Sequence, residues 1–112
     1  MGRGNFTLRV KVLLLESNLM WSARLAKSLV ALGHEVVKTD PEVAIINLGE
    51  LGDRSASTVS ELHRNGVKVI AHAGHKETEL LSIGRESGAD ILATNSQLTF
   101  KLADLLQQAE SM

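Results

Sequence analysis

The residues of this chain that could do chemistry stand at, or directly after, the ends of short apolar runs. Six positions share this placement: Glu16, Ser17, Asn47, His72, Ala73 and Thr94. Glu16 is the only carboxylate among them, and the amide of Asn47 is neutral. No coherent set of an acid, a base and a nucleophile appears among these six residues. We therefore expect no catalytic residues and no enzymatic activity.

Metal and cofactor chemistry finds equally little support in the sequence. His72 and His75 lie three residues apart and could bind a transition metal together with Glu16 or Glu50. No third nearby ligand is evident, and the alternative is one imidazole that caps a backbone group and one that is solvated. The chain has no cysteine and no glycine-rich phosphate loop. We expect no bound metal and no cofactor.

The elements that must position these residues follow from the apolar pattern. Apolar runs predict strands at residues 10–15, 35–38, 43–47, 67–71 and 90–93, with polar loops at 48–53 and 72–75. Amphipathic spacing predicts helices at 19–32, 55–65, 76–87 and 96–109. Strands interleaved with helices indicate a flavodoxin-like three-layer αβα fold, with a five-stranded parallel sheet and alternating helices. Functional residues then gather at the carboxyl ends of the strands.

Four segments, in order, resemble those of response-regulator receiver domains. They are Lys-Val-Leu-Leu-Leu-Glu-Ser-Asn at 11–18, Ala-Leu-Gly-His-Glu-Val at 31–36, Pro-Glu-Val-Ala-Ile-Ile-Asn-Leu at 41–48 and Gly-Ala-Asp at 88–90. The resemblance extends from about Arg9 to Ala109. It supports one receiver-like domain at residues 8–112, and the glycine-containing segment 1–7 is predicted to be a flexible arm.

The departures from the receiver pattern are coherent. Receivers carry two acidic residues after the first strand, and this chain has Glu16 and Ser17 there. Asn47 takes the place of the phosphorylated aspartate, and Thr94 takes that of a lysine. The usual hydroxyl residue becomes His72 or Ala73, depending on the alignment. A set with one carboxylate holds Mg²⁺ poorly, so the resemblance implies a pseudo-receiver that has lost the phosphoacceptor aspartate.

Composition narrows the classes of partner. The chain has twelve Lys and Arg against thirteen Asp and Glu, which gives a net charge of −1, and no basic run points to nucleic acid. No apolar stretch has the length of a membrane span, and no secretory signal is recognisable. We expect a cytoplasmic protein that binds neither nucleic acid nor membrane.

The sequence therefore predicts a stand-alone, phosphorylation-independent receiver-like module that acts in signalling or regulation by binding another protein, or itself as a homodimer. One candidate interface contains Met20 and Trp21, because one helix face cannot bury Leu19, Met20 and Trp21 together. The other contains Phe100 and Lys101, which the resemblance places at the surface that receivers use for partners. The alternatives to an interface role are that Trp21 packs over its own sheet and that Phe100 lies in the core. The alternative function is a small-ligand or anion sensor that uses the remnant pocket, which we define as Glu16, Ser17, Asn47, His72, Ala73 and Thr94.

Overall fold

A computed structural model describes residues Arg9–Met112. The predicted arm at 1–7, together with Leu8, lies outside the described residues. The elements are β1 Lys11–Leu15, α1 Leu19–Ala31, β2 Glu35–Val36, β3 Val43–Asn47, α2 Leu48–Leu51, a 3₁₀ turn Gly52–Arg54, α3 Ser55–Arg64, β4 Lys68–Ala73, α4 Thr78–Ser87, β5 Ile91–Thr94, α5 Asn95–Phe100 and α6 Leu102–Glu110.

The five strands form one parallel sheet in the order β2-β1-β3-β4-β5. The predicted fold class is thereby confirmed. The central strands are mostly apolar because both faces of a parallel sheet are covered by helices. In β3, for example, Val43–Ile46 are all buried. The polar flanks of β2 agree with its position at the edge of the sheet.

Two hydrophobic layers enclose the sheet, one on each face. The first packs α1, α5 and α6 against one face through Val10, Val12, Leu25, Leu29, Val43, Ile45, Ile70, Ile91, Ala93, Leu98, Leu102, Leu105, Leu106 and Ala109. The second packs α2, α3 and α4 against the other face. Leu80 and Leu81 of α4 pack on its buried residues, which are Ala44, Ile46, Leu48, Val59, Val67, Val69, Ala71 and Ala73. Alternate residues of each strand enter opposite layers.

The connection from β2 to β3 contains no helix in the segment 37–42, in agreement with the predicted helices, none of which lies between residues 38 and 43. Hydrogen bonds hold this segment to the start of β1: the Val37 N–H donates to the Val12 carbonyl at 2.9 Å, and the Glu42 N–H to the Lys11 carbonyl at 2.8 Å. No helix of this segment covers β1 on the α3 side. Leu13 and Leu15, which face that side, are only partly buried.

Strand β2 is shorter than predicted, and three further differences from the predicted elements lie at or beyond the ends of β3, β4 and β5. The expected loop at 48–53 is a helical turn followed by a 3₁₀ turn, because the Asn47 side chain caps it and Leu48 is fully buried. Strand β4 continues through Ala73, so His72 and Ala73 lie in the sheet and not in a loop. The last helix is interrupted at Lys101, whose φ of −127° is not helical.

Among the described residues, none of the helices is both long enough and apolar enough to cross a lipid bilayer.

Candidate functional site

Polar side chains form a row across the carboxyl ends of four strands. Glu16 follows β1, Asn47 ends β3, His72 lies near the end of β4 and Asn95 follows β5. The register between β3 and β4 pairs Asn47 with His72. Contacts at both ends of the row join neighbouring side chains, so the sheet brings together residues far apart in the sequence.

Glu16 and Asn47 are joined directly. The Asn47 Nδ2 amide donates to Glu16 Oε1 at 2.8 Å, and the Asn18 backbone N–H donates to Glu16 Oε2 at 3.1 Å. Asn47 Oδ1 accepts from the Gly49 N–H at 3.1 Å. Both polar atoms of the Asn47 side chain and both oxygens of Glu16 are therefore engaged within the protein.

Glu50 joins the site from α2, in the segment that was predicted to be a loop. The Ser17 hydroxyl donates to Glu50 Oε2, which closes the β1–α1 loop against the β3–α2 turn. Glu77 performs a similar role beside β4, where its Oε1 accepts from the Gly74 N–H at 2.8 Å. Hydrogen bonds to the carboxylates of Glu50 and Glu77 therefore hold the loops around the strand ends in place.

His72 is fully buried and lies between α1 and α5. Its Nδ1 is 2.7 Å from Asn95 Oδ1, and its ring centroid is 6.4 Å from that of Trp21. Burial lowers the pKa of His72 below its ordinary value; the hydrogen bond to Asn95 and the charge of Glu16 act in the opposite direction. Nε2 has no hydrogen-bond partner among the described residues. A buried polar atom without a hydrogen-bond partner costs free energy.

Two residues of the predicted remnant pocket do not take part in this row. Ala73 is buried in the opposite layer, with Ala71 and Val69, because strand residues alternate between faces. Thr94 caps α5: its Oγ1 accepts from the Gln97 N–H at 3.2 Å, and Gln97 Oε1 accepts from the Thr94 N–H at 2.9 Å. The structure therefore gathers Glu16, Ser17, Asn47 and His72, and separates Ala73 and Thr94 from them.

Solved structures with a similar architecture include response regulators and their receiver domains. A response regulator from Thermotoga maritima superimposes with a TM-score of 0.75 at 14% identity, over 94% of this chain and 100% of that chain. The receiver domain of NtrX from Brucella abortus gives 0.74 at 16% identity, over 88% and 96%. The receiver domain of the TMAO respiratory system response regulator TorR gives 0.73 at 17% identity, over 89% and 98%. This chain has the receiver fold. No protein-family model and no curated protein sequence matches it.

The site of this receiver-like domain does not fit a magnesium ion bound as the receiver pattern requires. Glu16 is occupied by Asn47 and Asn18, and Ser17 directs its hydroxyl hydrogen to Glu50. The Asn47 oxygen is engaged by a backbone amide. Mg²⁺ demands near-octahedral oxygen ligands and dehydrates reluctantly, so it would have to displace these contacts for one well-placed carboxylate. No step through the metal follows from these residues.

An anion is also poorly matched to this receiver-like site. The backbone amides of Gly49 and Gly74, which could bind oxyanions, already donate to Asn47 and Glu77. The charged side chains that make hydrogen bonds at this site are the carboxylates of Glu16, Glu50 and Glu77. The one ion pair of the described residues, Arg9 Nε to Glu35 Oε1 at 3.7 Å, lies at the opposite end of the sheet. A negative ligand would be repelled here.

Of the four predicted interface residues, three are exposed and Trp21 is partly buried. Met20 is 83% exposed and Phe100 is 84% exposed, and Lys101 is exposed beside it. Trp21 instead packs on the layer that α1 forms with the sheet, next to His72, which is the alternative to an interface role. Leu19, at 83% exposure, is a further apolar surface residue that the sequence left open.

Two structural features of the site have recognisable local sequence patterns. Thr94 and Gln97 form the Thr-x-x-Gln spacing of a capping box, which predicts a helix start and not a binding residue. Asn47 followed two residues later by Gly49 has the spacing of an Asx turn. Glu50 and Trp21 carry no such signal, because their contacts join distant segments.

Proposed function

We propose that this domain is a phosphorylation-independent, non-catalytic receiver-like module that acts in signalling through protein–protein interaction. The observation that carries the proposal is the closed contact between Glu16 and Asn47, at the place where receivers carry out their chemistry. An amide is a very poor nucleophile for phosphoryl transfer, and this amide donates to the nearest carboxylate. A domain that does no chemistry exerts its effect by being recognised.

Phe100 is the residue that best supports recognition by a protein. Its ring is 84% exposed, although a buried aromatic residue contributes far more to stability than an exposed one. It stands at the end of α5, where the helix is interrupted at Lys101, so the break presents an aromatic and a cationic residue together. Aromatic anchors contribute a large share of the free energy of protein interfaces. We propose a homodimer as the first case, since two-fold dimers are the commonest assemblies.

Sedimentation of the wild type and of Phe100→Glu tests this proposal. We expect the wild type to sediment as a dimer and Phe100→Glu as a monomer, with unchanged thermal stability because the ring is exposed. Gln107→Glu, an exposed change on α6, is the matched control and should remain dimeric. A wild type that stays monomeric at high concentration would reject self-association. The test would then compare how Phe100→Glu and Gln107→Glu bind a separate protein partner, and only Phe100→Glu should bind more weakly.

A second candidate is a small-molecule sensor, and the unpartnered His72 Nε2 favours it. When Nδ1 donates to Asn95 Oδ1, Nε2 is an acceptor that needs a donor. Its ligand would be a neutral hydrogen-bond donor and not an anion, given Glu16, Glu50 and Glu77. A screen of neutral donors by thermal shift separates this candidate from the first, because a response should vanish in His72→Leu and persist in Phe100→Glu.

A further inference from the structure

The edge of β1 is open over the second half of the strand. Its ladder with β2 ends where the Val37 N–H donates to the Val12 carbonyl. Backbone groups of alternate residues point to the same side of a strand. The N–H and carbonyl of Leu14 therefore point to the side that β2 occupies at Val12, but lie beyond the end of β2, and those of Glu16 follow them. On its other side, β1 remains paired with β3 through Leu15.

An incompletely covered apolar face adjoins this open edge. The segment 37–42 crosses β1 without forming a helix, so Leu13 and Leu15 are only partly buried on the α3 side. Leu51 of α2, which packs on the same layer, is also partly buried. Parallel sheets normally carry helices on both faces, and here part of one face lacks that cover.

The carboxyl end of the open edge is acidic. Glu50 reaches over the end of β1 to accept from Ser17, and Glu16 is the next residue of the strand's own chain. Neither carboxylate belongs to an ion pair of the described residues. A segment that lies along β1 with a Lys or Arg at this end would meet uncompensated negative charge.

We propose that β1 accepts an extended segment of a protein partner as an additional strand beside Leu14 and Glu16, with an apolar residue over Leu13 and Leu15 and a basic residue next to Glu50. An extended backbone can pair with the exposed N–H and carbonyl groups of a strand edge in place of water. A second copy of this chain fits less well, because it would bring its own Glu16 and Glu50 to the same edge. This surface is separate from Phe100, and the proposal stands without it.

The probe is a capped hexapeptide of sequence Arg-Val-Thr-Val-Thr-Arg, which alternates apolar and polar residues and is basic at both ends. Its matched control has proline in place of the second valine, which removes a backbone donor at equal charge. We expect the first peptide to shift the amide resonances of Leu14 and Glu16 and to slow their hydrogen exchange. The proline peptide should bind at least several-fold more weakly.

Protein variants locate the basic contact. Glu50→Lys should weaken binding of the basic hexapeptide by about two- to fivefold, the range of an exposed charge pair, while Glu61→Lys on α3 should leave it unchanged. Phe100→Glu should also leave it unchanged, which separates this proposal from the homodimer. Equal binding of both peptides, or shifts that avoid Leu14 and Glu16, would overturn the proposal. Slow exchange of the Leu14 amide in the free protein, together with dimeric sedimentation, would overturn it in favour of self-pairing.

Discussion

At the scale of single residues, Asn47 decides the chemistry of the site. Its Nδ2 amide donates a hydrogen bond to Glu16 Oε1 at 2.8 Å and thereby stabilises that carboxylate. Asn47→Asp would replace that donor by a second carboxylate. We expect the free energy of unfolding at neutral pH to fall by about 1–2 kcal/mol, because a hydrogen bond is lost and two like charges meet. Urea unfolding measures this, with Asn65→Asp at an exposed helix end as the control.

The same variant tests whether chemistry can be restored. Wild type and Asn47→Asp, incubated with acetyl phosphate and Mg²⁺, should both keep their intact mass, because Glu16, Ser17 and Thr94 still depart from the receiver set. A stable phosphoryl adduct at position 47 in the variant would show that the amide alone had silenced the site.

His72 should make the stability of the domain depend on pH. Burial holds its folded-state pKa below the ordinary value of 6.5, so the unfolded chain binds a proton more readily. The free energy of unfolding should therefore be independent of the protonation of His72 above pH 6.5 and should decrease as the pH falls from 6.5 towards the folded-state pKa. The slope is at most about 1.4 kcal/mol per pH unit for one proton.

Unfolding followed by the fluorescence of Trp21, the single tryptophan, measures this slope. The groups that face the imidazole are Trp21, Asn95 and the charge of Glu16. We expect His72→Gln to flatten the dependence between pH 6.5 and 5, and His75→Gln, an exposed change, to preserve it. An unchanged slope in His72→Gln would show that another group dominates.

At the scale of elements, Thr94 has a structural role at the start of α5. Its side chain and that of Gln97 form a capping box that starts α5 directly after β5. Thr94→Ala should cost about 1 kcal/mol of stability, because the Gln97 N–H loses its acceptor. Ser96→Ala, in the same helical turn, is the control and should change stability little. Equal losses in both variants would contradict the assigned cap.

At the scale of the whole molecule, the two layers differ in completeness. Leu29 lies in the layer formed by α1, α5 and α6 and is fully buried, whereas Leu13 lies in the layer that lacks a helix over β1. We expect Leu29→Ala to cost about 3 kcal/mol and Leu13→Ala less than half of that, since cavity and transfer terms scale with burial. Chemical denaturation compares the two matched truncations, and similar losses would mean that the face over β1 is closed.

The sequence by itself determined the approximate positions of the strands and the fold class. An apolar run such as Val43–Ile46 indicates, from local sequence alone, a strand that is buried on both faces. In a parallel sheet the carboxyl ends of such strands lie at the same edge. The identity of Asn47 likewise needs no structure to exclude an aspartyl phosphate at that position. These inferences depend on residue type and local period.

Only the tertiary structure decided which residues at the strand ends act together. Because side chains alternate along β4, His72 faces Trp21 and Ala73 lies in the opposite layer. The sequence resemblance did not decide which of these two residues takes the place of the receiver hydroxyl residue. The contact of Ser17 with Glu50 and the open edge beside Leu14 join or expose segments far apart in the chain. Such features depend on the length and path of a connection in three dimensions, and local periodicity carries no record of them.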